Sequence, residues 1–449
     1  MVPDVNRQSS RQHDFTGGKR EDMNTFRQLR NFCTPWVTMI VLACFSDAVA
    51  QTSYTVTDLG VLNSNDNLSC AMALNNLGWT LSMNGAMNPP SDALAAPVLS
   101  GRAVINIGEL KIDLQTLGGA NSWMNWGGIN DRGEAVGMAE TSVPDPDGED
   151  FCGFGTGKTC RPFLWQNSHM SALPILGGNN GSASDINIRG QIAGFAETAV
   201  TDPGCGGLPN KTTLAVLWEE GQAQPLPTVG SDPDGQAFAI NNQGQAVGYS
   251  GTCTAATHAV LWENGTAFPL ADFGHPRSNR ASGINNRGQV VGRVRSPDGG
   301  TFVAALWPNG ANGTVKNLGT LGDPFSWATG INDRGQVVGS TLILDPTFGL
   351  TWSRAFIYQD QVMTDLNTLF PASSNLFATM ANKINESGQI SGMGTVLSGP
   401  HAGDIHAFLA TPVNASVGTS IADVARTHPH ASLPASVNKQ LLQRFGVDR

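Results

Sequence analysis

A ten-residue motif that recurs seven times constrains this chain more than any other feature. Its clearest copy is GINDRGQVVG, at Gly330–Gly339. Every copy has an apolar residue before an asparagine and a glycine three residues after it. Asparagine favours turns because its side chain bonds nearby backbone, and glycine accepts positive φ without steric cost. The turn pairs are Asn75 and Gly78, Asn130 and Gly133, Asn187 and Gly190, Asn241 and Gly244, Asn285 and Gly288, Asn332 and Gly335, and Asn385 and Gly388.

Short β-prone runs flank each turn, so the motif predicts a hairpin. A second apolar run follows each copy, as in HAVLW at His258–Trp262. A turn such as Asn264-Gly265 and another short run come next. Each unit therefore supplies about four short strands.

The unit length predicts the fold class. The turn asparagines lie 44 to 57 residues apart, and four strands per unit at this period indicate propeller blades. We predict an all-β, seven-bladed β-propeller, with an open β-solenoid or another all-β repeat as the alternative. The last unit stops at His406–Val413, whereas Tyr54–Leu62 resembles the strand it lacks. We expect this N-terminal strand to complete the last blade and close the ring, leaving no open sheet edge.

The repeats divide the chain into a propeller at 51–413, an N-terminal extension at 1–50 and a tail at 414–449. Arg27 and Arg30, the apolar run Trp36–Phe45 and the Ala48–Ala50 site predict a secretory signal peptide. The apolar run is too short for a transmembrane helix. We expect export to the extracellular space, the periplasm or the cell envelope. A lipoprotein signal ending at Cys44 is the competing interpretation. In the tail, apolar residues at helical spacing suggest a short helix.

Charge narrows the classes of partner. The net charge is −10, and the acidic balance with no basic stripe argues against nucleic acid and anionic membrane surfaces. We expect a monomer that binds a protein or carbohydrate ligand.

The cysteines suggest disulfides in an oxidising compartment. Cys152 and Cys160 bracket one loop, and Cys205 and Cys253 lie in corresponding loops of adjacent units. We predict both pairs, and we expect Cys70 to be a buried free thiol. No C-x-x-C spacing supports zinc.

Two sets of residues raise the question of a metal or a catalytic role. Asp145, Asp147 and Asp150 have the carboxylate density that calcium requires, without the full loop pattern. An exposed acidic turn is the interpretation we favour, with calcium as the weaker alternative, and no other cofactor is expected. His258 and His406 share a repeat position with Arg161 and Arg354, which predicts a structural position at a strand start.

The remaining aromatic and histidine residues suggest packing rather than chemistry. Four tryptophans occupy one repeat position, which favours packing between blades. They are Trp165, Trp218, Trp262 and Trp307. The histidines His169, His275 and His401 are isolated in the sequence. No G-x-S-x-G, H-E-x-x-H or phosphate-binding loop occurs, so no catalytic residue is predicted.

The motifs together resemble the HAF repeats of bacterial extracellular proteins. The similarity lies in Gly330–Gly339, His406–Leu409 and Asn317–Gly322 and extends over about residues 54–413. Unit one departs most, with Trp79 and Leu81 at positions that usually hold Gln and Val. The resemblance implies secretion and repetition, and it carries no catalytic residues to transfer.

Function is therefore expected in the variable loops or the central channel. We predict a non-enzymatic binding scaffold. The alternative is a polysaccharide lyase or glycosidase on the same scaffold, since a fold does not decide function. Two carboxylates, or a histidine with a tyrosine or arginine, meeting at the channel mouth would favour the enzyme.

Overall fold

The computed structural model describes residues 52–88, 98–123, 126–202, 211–253, 255–345 and 349–413. These residues form 28 strands and two short 3-10 helices, Gly310–Asn312 and Leu366–Leu369. No helix in this part of the chain has the length and apolar character needed to cross a membrane. The predicted signal peptide and tail lie outside the described residues.

Five separate sheets each contain four antiparallel strands in chain order. The strands are β6 Gly118–Trp123, β7 Ala135–Pro144, β8 Lys158–Gln166 and β9 His169–Ala172; β10 Gly177–Ile186, β11 Ile192–Thr201, β12 Lys211–Glu219 and β13 Gln222–Pro225; β14 Asp234–Ile240, β15 Ala246–Thr252, β16 Ala255–Glu263 and β17 Thr266–Pro269; β18 Arg280–Ile284, β19 Val290–Arg295, β20 Phe302–Trp307 and β21 Lys316–Asn317; and β22 Phe325–Ile331, β23 Val337–Asp345, β24 Gly349–Gln359 and β25 Val362–Asp365.

The remaining eight strands join the two ends of the repeat region. They are β1 Ser53–Gly60, β2 Leu68–Leu74, β3 Thr80–Asn88, β4 Val98–Ile107 and β5 Leu110–Asp113, with β26 Leu376–Ile384, β27 Ile390–Val396 and β28 Ile405–Val413. Strand β1 pairs antiparallel with β28, from Ser53 opposite Val413 to Gly60 opposite Ala407. One parallel pair, Leu68 with Ile405, links β2 to β28. The N-terminal strand thus supplies a fourth strand to the last unit.

Successive units pack through their first strands, which gives a β-propeller-like arrangement. Strand β10 contacts β14, β14 contacts β18, β18 contacts β22, β22 contacts β26, and β26 contacts β2. Apolar clusters fill the spaces between neighbouring sheets. Trp218, Trp262 and Trp307 are at most 1% exposed. Each donates its indole N–H over 2.7 Å to a carbonyl in the connection that leads into its own sheet. These tryptophans pack between units, as predicted.

In six of the seven turns the asparagine makes every hydrogen bond that its amide allows, as Asn332 illustrates. Asn75 makes three, because Trp79 offers no side-chain acceptor. Its Oδ1 accepts the main-chain N–H groups of Arg334 and Gln336, each at 3.1 Å. Its Nδ2 donates to Gln336 Oε1 at 2.8 Å and to the main-chain carbonyl of Asn385 at 3.0 Å. The last bond crosses to the next unit. The position therefore requires both an acceptor and a donor. An amide supplies both, whereas a carboxylate supplies only acceptors.

The cross-unit bond repeats at all seven turns. Each Nδ2 donates to the carbonyl of the next turn asparagine at 2.9–3.1 Å, and Asn385 donates to Asn75. All seven side chains are buried. The hydrogen bonds thus run from the first unit through the last and back to the first.

We predict that Asn332→Asp lowers the free energy of unfolding by about 1–3 kcal/mol. The aspartate keeps the turn acceptor but loses the donor to Asn385, and it brings a carboxylate oxygen close to that carbonyl. Urea denaturation of the purified protein measures the change.

The control is Arg334→Ala, because Arg334 is exposed in the same turn and we expect a change within about 0.5 kcal/mol. Equal stability of Asn332→Asp and wild type would show that the cross-unit bond is not stabilising.

Candidate functional site

The seven turns meet at a polar cavity, which we call the central mouth. Its volume is about 170 Å³, and every unit contributes to its lining. Each unit supplies the turn asparagine or its apolar neighbour, as Ile331 and Asn385 do. The motif that the sequence presents as scaffold therefore also forms the wall of a concavity to which every unit contributes.

A second circle of hydrogen bonds lies one residue after the asparagines. Six main-chain N–H groups donate to the next unit's side chain at 2.7–3.2 Å. The carboxylates of Asp131, Asp333 and Glu386 serve as such acceptors. Ile188 has no acceptor in its side chain, so the link from Asp131 to the next unit is missing there. These three carboxylates at the mouth therefore have a structural role, since each accepts a main-chain N–H group of the preceding unit.

Two charged side chains distinguish the central mouth from a purely structural lining. Asp185 and Lys383 both line it, and Lys383 Nζ lies 3.7 Å from Asp185 Oδ2. Both side chains retain 17–18% exposure. Each follows a register shift in the first strand of its unit, after Ala183 and Ala381, and such bulges re-aim side chains.

The neighbouring unit is adapted to Asp185. A Cβ at Gly128 would lie 2.6 Å from Asp185 Oδ1 and 2.7 Å from its Cα, so only glycine fits there. Asp185 Oδ2 also accepts the main-chain N–H of Ile240 at 3.2 Å.

Sequence reasoning missed this pair, although a signal exists in the repeats. The residue before the apolar position is alanine or glycine in five units, and it is charged only at Asp185 and Lys383. That the two charges meet follows only from the packing of the units in space.

The calcium candidates separate into two places. Asp145 and Asp147 lie beside Asn180 and Asn179, which donate to them at 2.8 and 2.6 Å. Asp147 also pairs with Lys211. Asp150 instead accepts the N–H of Gly155 at 2.9 Å within its own turn.

The same loop holds a carboxyl group with a strongly altered proton affinity. Burial, a hydrogen bond with Glu197 and the charges of Glu197, Asp145 and Asp147 raise the pKa of Glu149 to about 8. Asn180 Nδ2 lies 3.3 Å from Glu149 and 3.2 Å from Glu197. Glu149 is therefore mostly protonated at neutral pH.

The repeat position that holds a histidine or an arginine has a structural role, because the side chain lies beside a carboxylate in three units. His258 Nδ1 lies 2.9 Å from Asp232, and Arg354 lies 3.0 Å from Asp323. His406 Nδ1 lies 2.9 Å from both carboxylate oxygens of Asp58 on β1. In each case the carboxylate belongs to another strand or connection. His406 lies near the start of β28, whereas Arg354 lies in the middle of β24, so the predicted strand-start position holds only in part.

Asp58 is also close to a lysine. Burial disfavours its charge, but hydrogen bonds from His406 and the Gly60 amide, with the charges of His406 and Lys111, lower the pKa of Asp58 below its ordinary value. Asp58 is thus ionised at neutral pH and holds the imidazole of His406.

His401 is not isolated in the fold. Its Nδ1 lies 2.9 Å from Asp404 Oδ2, and its ring centroid is 5.7 Å from that of His406. The three side chains offer ligand atoms within 4.8 Å of one another. His169 and His275 stay apart from this group, since His275 bonds the carbonyl of Pro297 and His169 lies on β9.

The cysteine predictions agree with the structure where it describes them. Cys152 and Cys160 form a disulfide with Cα atoms 5.9 Å apart. Cys70 is a buried free thiol, and burial raises the pKa of Cys70 to about 12. Cys253 is disulfide-bonded, and its predicted partner Cys205 lies outside the described residues.

No protein-family model and no curated protein matches this chain. Among solved structures, the β-propeller domain of the Trilobed protease from Pyrococcus furiosus is similar, with a TM-score of 0.42 and 9% identity over 84% of this chain and 100% of that one. A gluconolactonase from Xanthomonas campestris has a TM-score of 0.34 and 11% identity over 73% of this chain and 94% of that one. A fungal alcohol oxidase has a TM-score of 0.41 and 12% identity over 80% of this chain and 75% of that one. At these identities the similarities carry no information on activity.

We predict that stability falls as pH rises from about 4.5 to about 8 through the titration of Glu149. A carboxyl group whose pKa is higher in the folded state binds a proton that the unfolded chain releases. Its contribution is complete below the unfolded pKa of 4.5 and is lost as pH passes the folded value of about 8.

Replacing Glu149 by glutamine keeps the shape and removes the titration. Thermal melts at pH 5 and pH 9 should therefore differ less for Glu149→Gln than for wild type. The exposed Glu220→Gln is the control and should behave as wild type. An unchanged pH dependence in Glu149→Gln would contradict the assignment.

Proposed function

We propose that this protein is a secreted, seven-bladed β-propeller that acts as a non-enzymatic binding scaffold, with the central mouth as its ligand site. The seven cross-unit asparagine bonds support seven blades. The pairing of β1 with β28 supports closure by the N-terminal strand.

Secretion is supported by the oxidised cysteines. Cys152 is bonded to Cys160, and Cys253 is also disulfide-bonded. Structural disulfides persist in oxidising compartments, so export to the extracellular space, the periplasm or the envelope accounts for both.

One observation carries the binding proposal: every unit contributes to a single polar concavity that contains one ion pair exposed to solvent. Pockets for whole small ligands usually measure about 300–1,000 Å³. A cavity of about 170 Å³ instead suits one sugar unit or terminal group of a longer ligand, whose remainder lies across the surrounding turns.

The lining favours a hydroxyl-rich ligand. Amide and carboxylate groups surround the cavity, and hydroxyl groups can both donate to and accept from them. Asp185 and Lys383 offer one acceptor and one set of donors side by side. A carbohydrate is therefore the ligand class that the mouth fits best, and a protein ligand is the alternative that the test distinguishes.

The mouth does not favour an enzyme. The carboxylates of Asp131, Asp333 and Glu386 accept main-chain N–H groups, and Asp185 is paired with Lys383. A glycosidase needs one carboxyl group as an acid and a second as a base or nucleophile. These four carboxylates are held in other interactions.

We expect the purified protein to bind specific glycans on an array, and we expect Asp185→Asn and Lys383→Met each to weaken that binding at least tenfold. Both substitutions keep side-chain size and remove one charge. His169→Ala on the outer strand β9 is the matched control and should bind as wild type.

The bound glycans are then incubated with the protein and assayed for reducing sugar. Release would overturn the non-enzymatic proposal in favour of a glycosidase or lyase. Binding that both mouth variants retain would move the site to the loops. If no glycan binds, the protein is tested for a protein ligand. A protein ligand that wild type captures and Lys383→Met loses would show that the mouth binds protein rather than carbohydrate.

A further inference from the structure

The structure assigns a binding site for one divalent transition-metal ion of the zinc class to His401, Asp404 and His406. We call these three residues the loop site. His401 and Asp404 lie in the connection between β27 and β28, at the end of β27 opposite the Asn385 turn, and His406 is the second residue of β28. The site is separate from the central mouth and does not depend on the function proposed for it.

The backbone of residues 397–404 holds two of the ligands in place. The Asp404 N–H donates to the His401 carbonyl at 2.9 Å, which closes a turn between the two. Across the base of the loop, the Gly403 N–H donates to the Val396 carbonyl, and the Val396 N–H donates to the Asp404 carbonyl. Asn375 anchors the near side through bonds with Ser398. The loop is thus fixed on both sides.

The third ligand, His406, is prepared for a metal by its neighbour. Its Nδ1 faces both oxygens of Asp58 at 2.9 Å. Since the carboxylate accepts, Nδ1 carries the proton, and in the neutral ring Nε2 presents a lone pair. Metal-bound histidines commonly have such a carboxylate behind them, which fixes the tautomer and the ring orientation.

The Nε2 atom of His406 supplies an independent sign of a ligand. His406 is 4% exposed, and its Nε2 is buried with no hydrogen-bond partner among the described residues. Buried polar atoms in native proteins nearly always have a partner, and an unmatched one calls for an explanation such as a missing ion. A metal on Nε2 satisfies this atom.

The distances and exposures fit metal entry from solvent. The three ligand atoms lie within 4.8 Å of one another, whereas tetrahedral zinc with bonds of about 2.0–2.2 Å places them roughly 3.4 Å apart. The His401 side chain is 50% exposed and that of Asp404 is 25% exposed. A small movement of the exposed His401 closes this gap, and the coordination position toward solvent stays open to water.

Two imidazoles and one carboxylate define the class of metal. Imidazole suits zinc and its first-row neighbours, whereas calcium and magnesium require oxygen ligands. Metal binding replaces the bond between His401 and Asp404 by two bonds to the ion. Because Asp58 belongs to β1 and His406 to β28, the site lies at the seam where the N-terminal strand joins the last unit.

His258 shows that the strand-start position alone does not make a site. It occupies the same repeat position and is held by Asp232 at 2.9 Å. Its side chain is 32% exposed, and no second histidine or further carboxylate is grouped with it among the described residues. His258 is therefore a matched control within the same chain.

The experiment uses the full chain, stripped with EDTA and dialysed. Calorimetry with Zn²⁺ and absorption spectroscopy with Co²⁺ should show one ion per chain with a micromolar or tighter dissociation constant. Zinc should also raise the melting temperature, because an ion that binds only the folded state stabilises it.

His401→Ala and Asp404→Asn should each weaken binding at least tenfold, and His258→Gln should leave it unchanged. Asp58→Asn is a sharper test of tautomer control, because its amide can donate to Nδ1 and place the ring proton on Nε2. We expect about 10–100-fold weaker binding, with the melting temperature of the metal-free protein recorded for each variant.

The tail carries a second pair of histidines, His428 and His430, so a double alanine variant of this pair is the specificity control. It should bind as wild type. The assignment is overturned if wild type binds no ion stoichiometrically, if His401→Ala and His406→Gln both bind as wild type, or if the tail variant abolishes binding.

Discussion

The amide of the turn asparagine is the interaction on which the rest of the structure depends. Its oxygen closes the turn of its own unit, and its nitrogen donates to the carbonyl of the next. Burial makes both halves matter, because an unmatched polar group away from water is costly. One side chain therefore joins local folding to the alignment of neighbouring sheets. With Asn385 donating to Asn75, the same interaction links the last unit to the first.

The two proposed sites lie where individual units depart from this shared arrangement. Five units have alanine or glycine before the apolar position, and two have Asp185 and Lys383, which meet in the central mouth. Similarly, the repeat position on the third strand that lies beside a carboxylate is structural in His258 and Arg354. In His406 it gains two neighbours, His401 and Asp404. The scaffold residues are thus repeated, whereas the residues of the proposed sites occur in single units.

Much of the scaffold could be predicted from local sequence. The asparagine and glycine of each turn, the strand-forming runs and the resemblance of Tyr54–Leu62 to a missing strand are short-range or repeated patterns. The disulfide between Cys152 and Cys160 spans one loop. The site residues could not be predicted in the same way. Asp185 and Lys383 are almost two hundred positions apart, and Asp58 lies at the opposite end of the chain from His406.

The sequence by itself determined the repeat, the turns and the all-β class, because hairpins depend on residues close together in the chain. Only the tertiary structure decided that the asparagine amide crosses to the next unit, and that Asp58 faces His406. The physical reason is that a hydrogen bond or a metal ligand set depends on distance in space. The curvature of the packed sheets sets that distance, and no single repeat contains it.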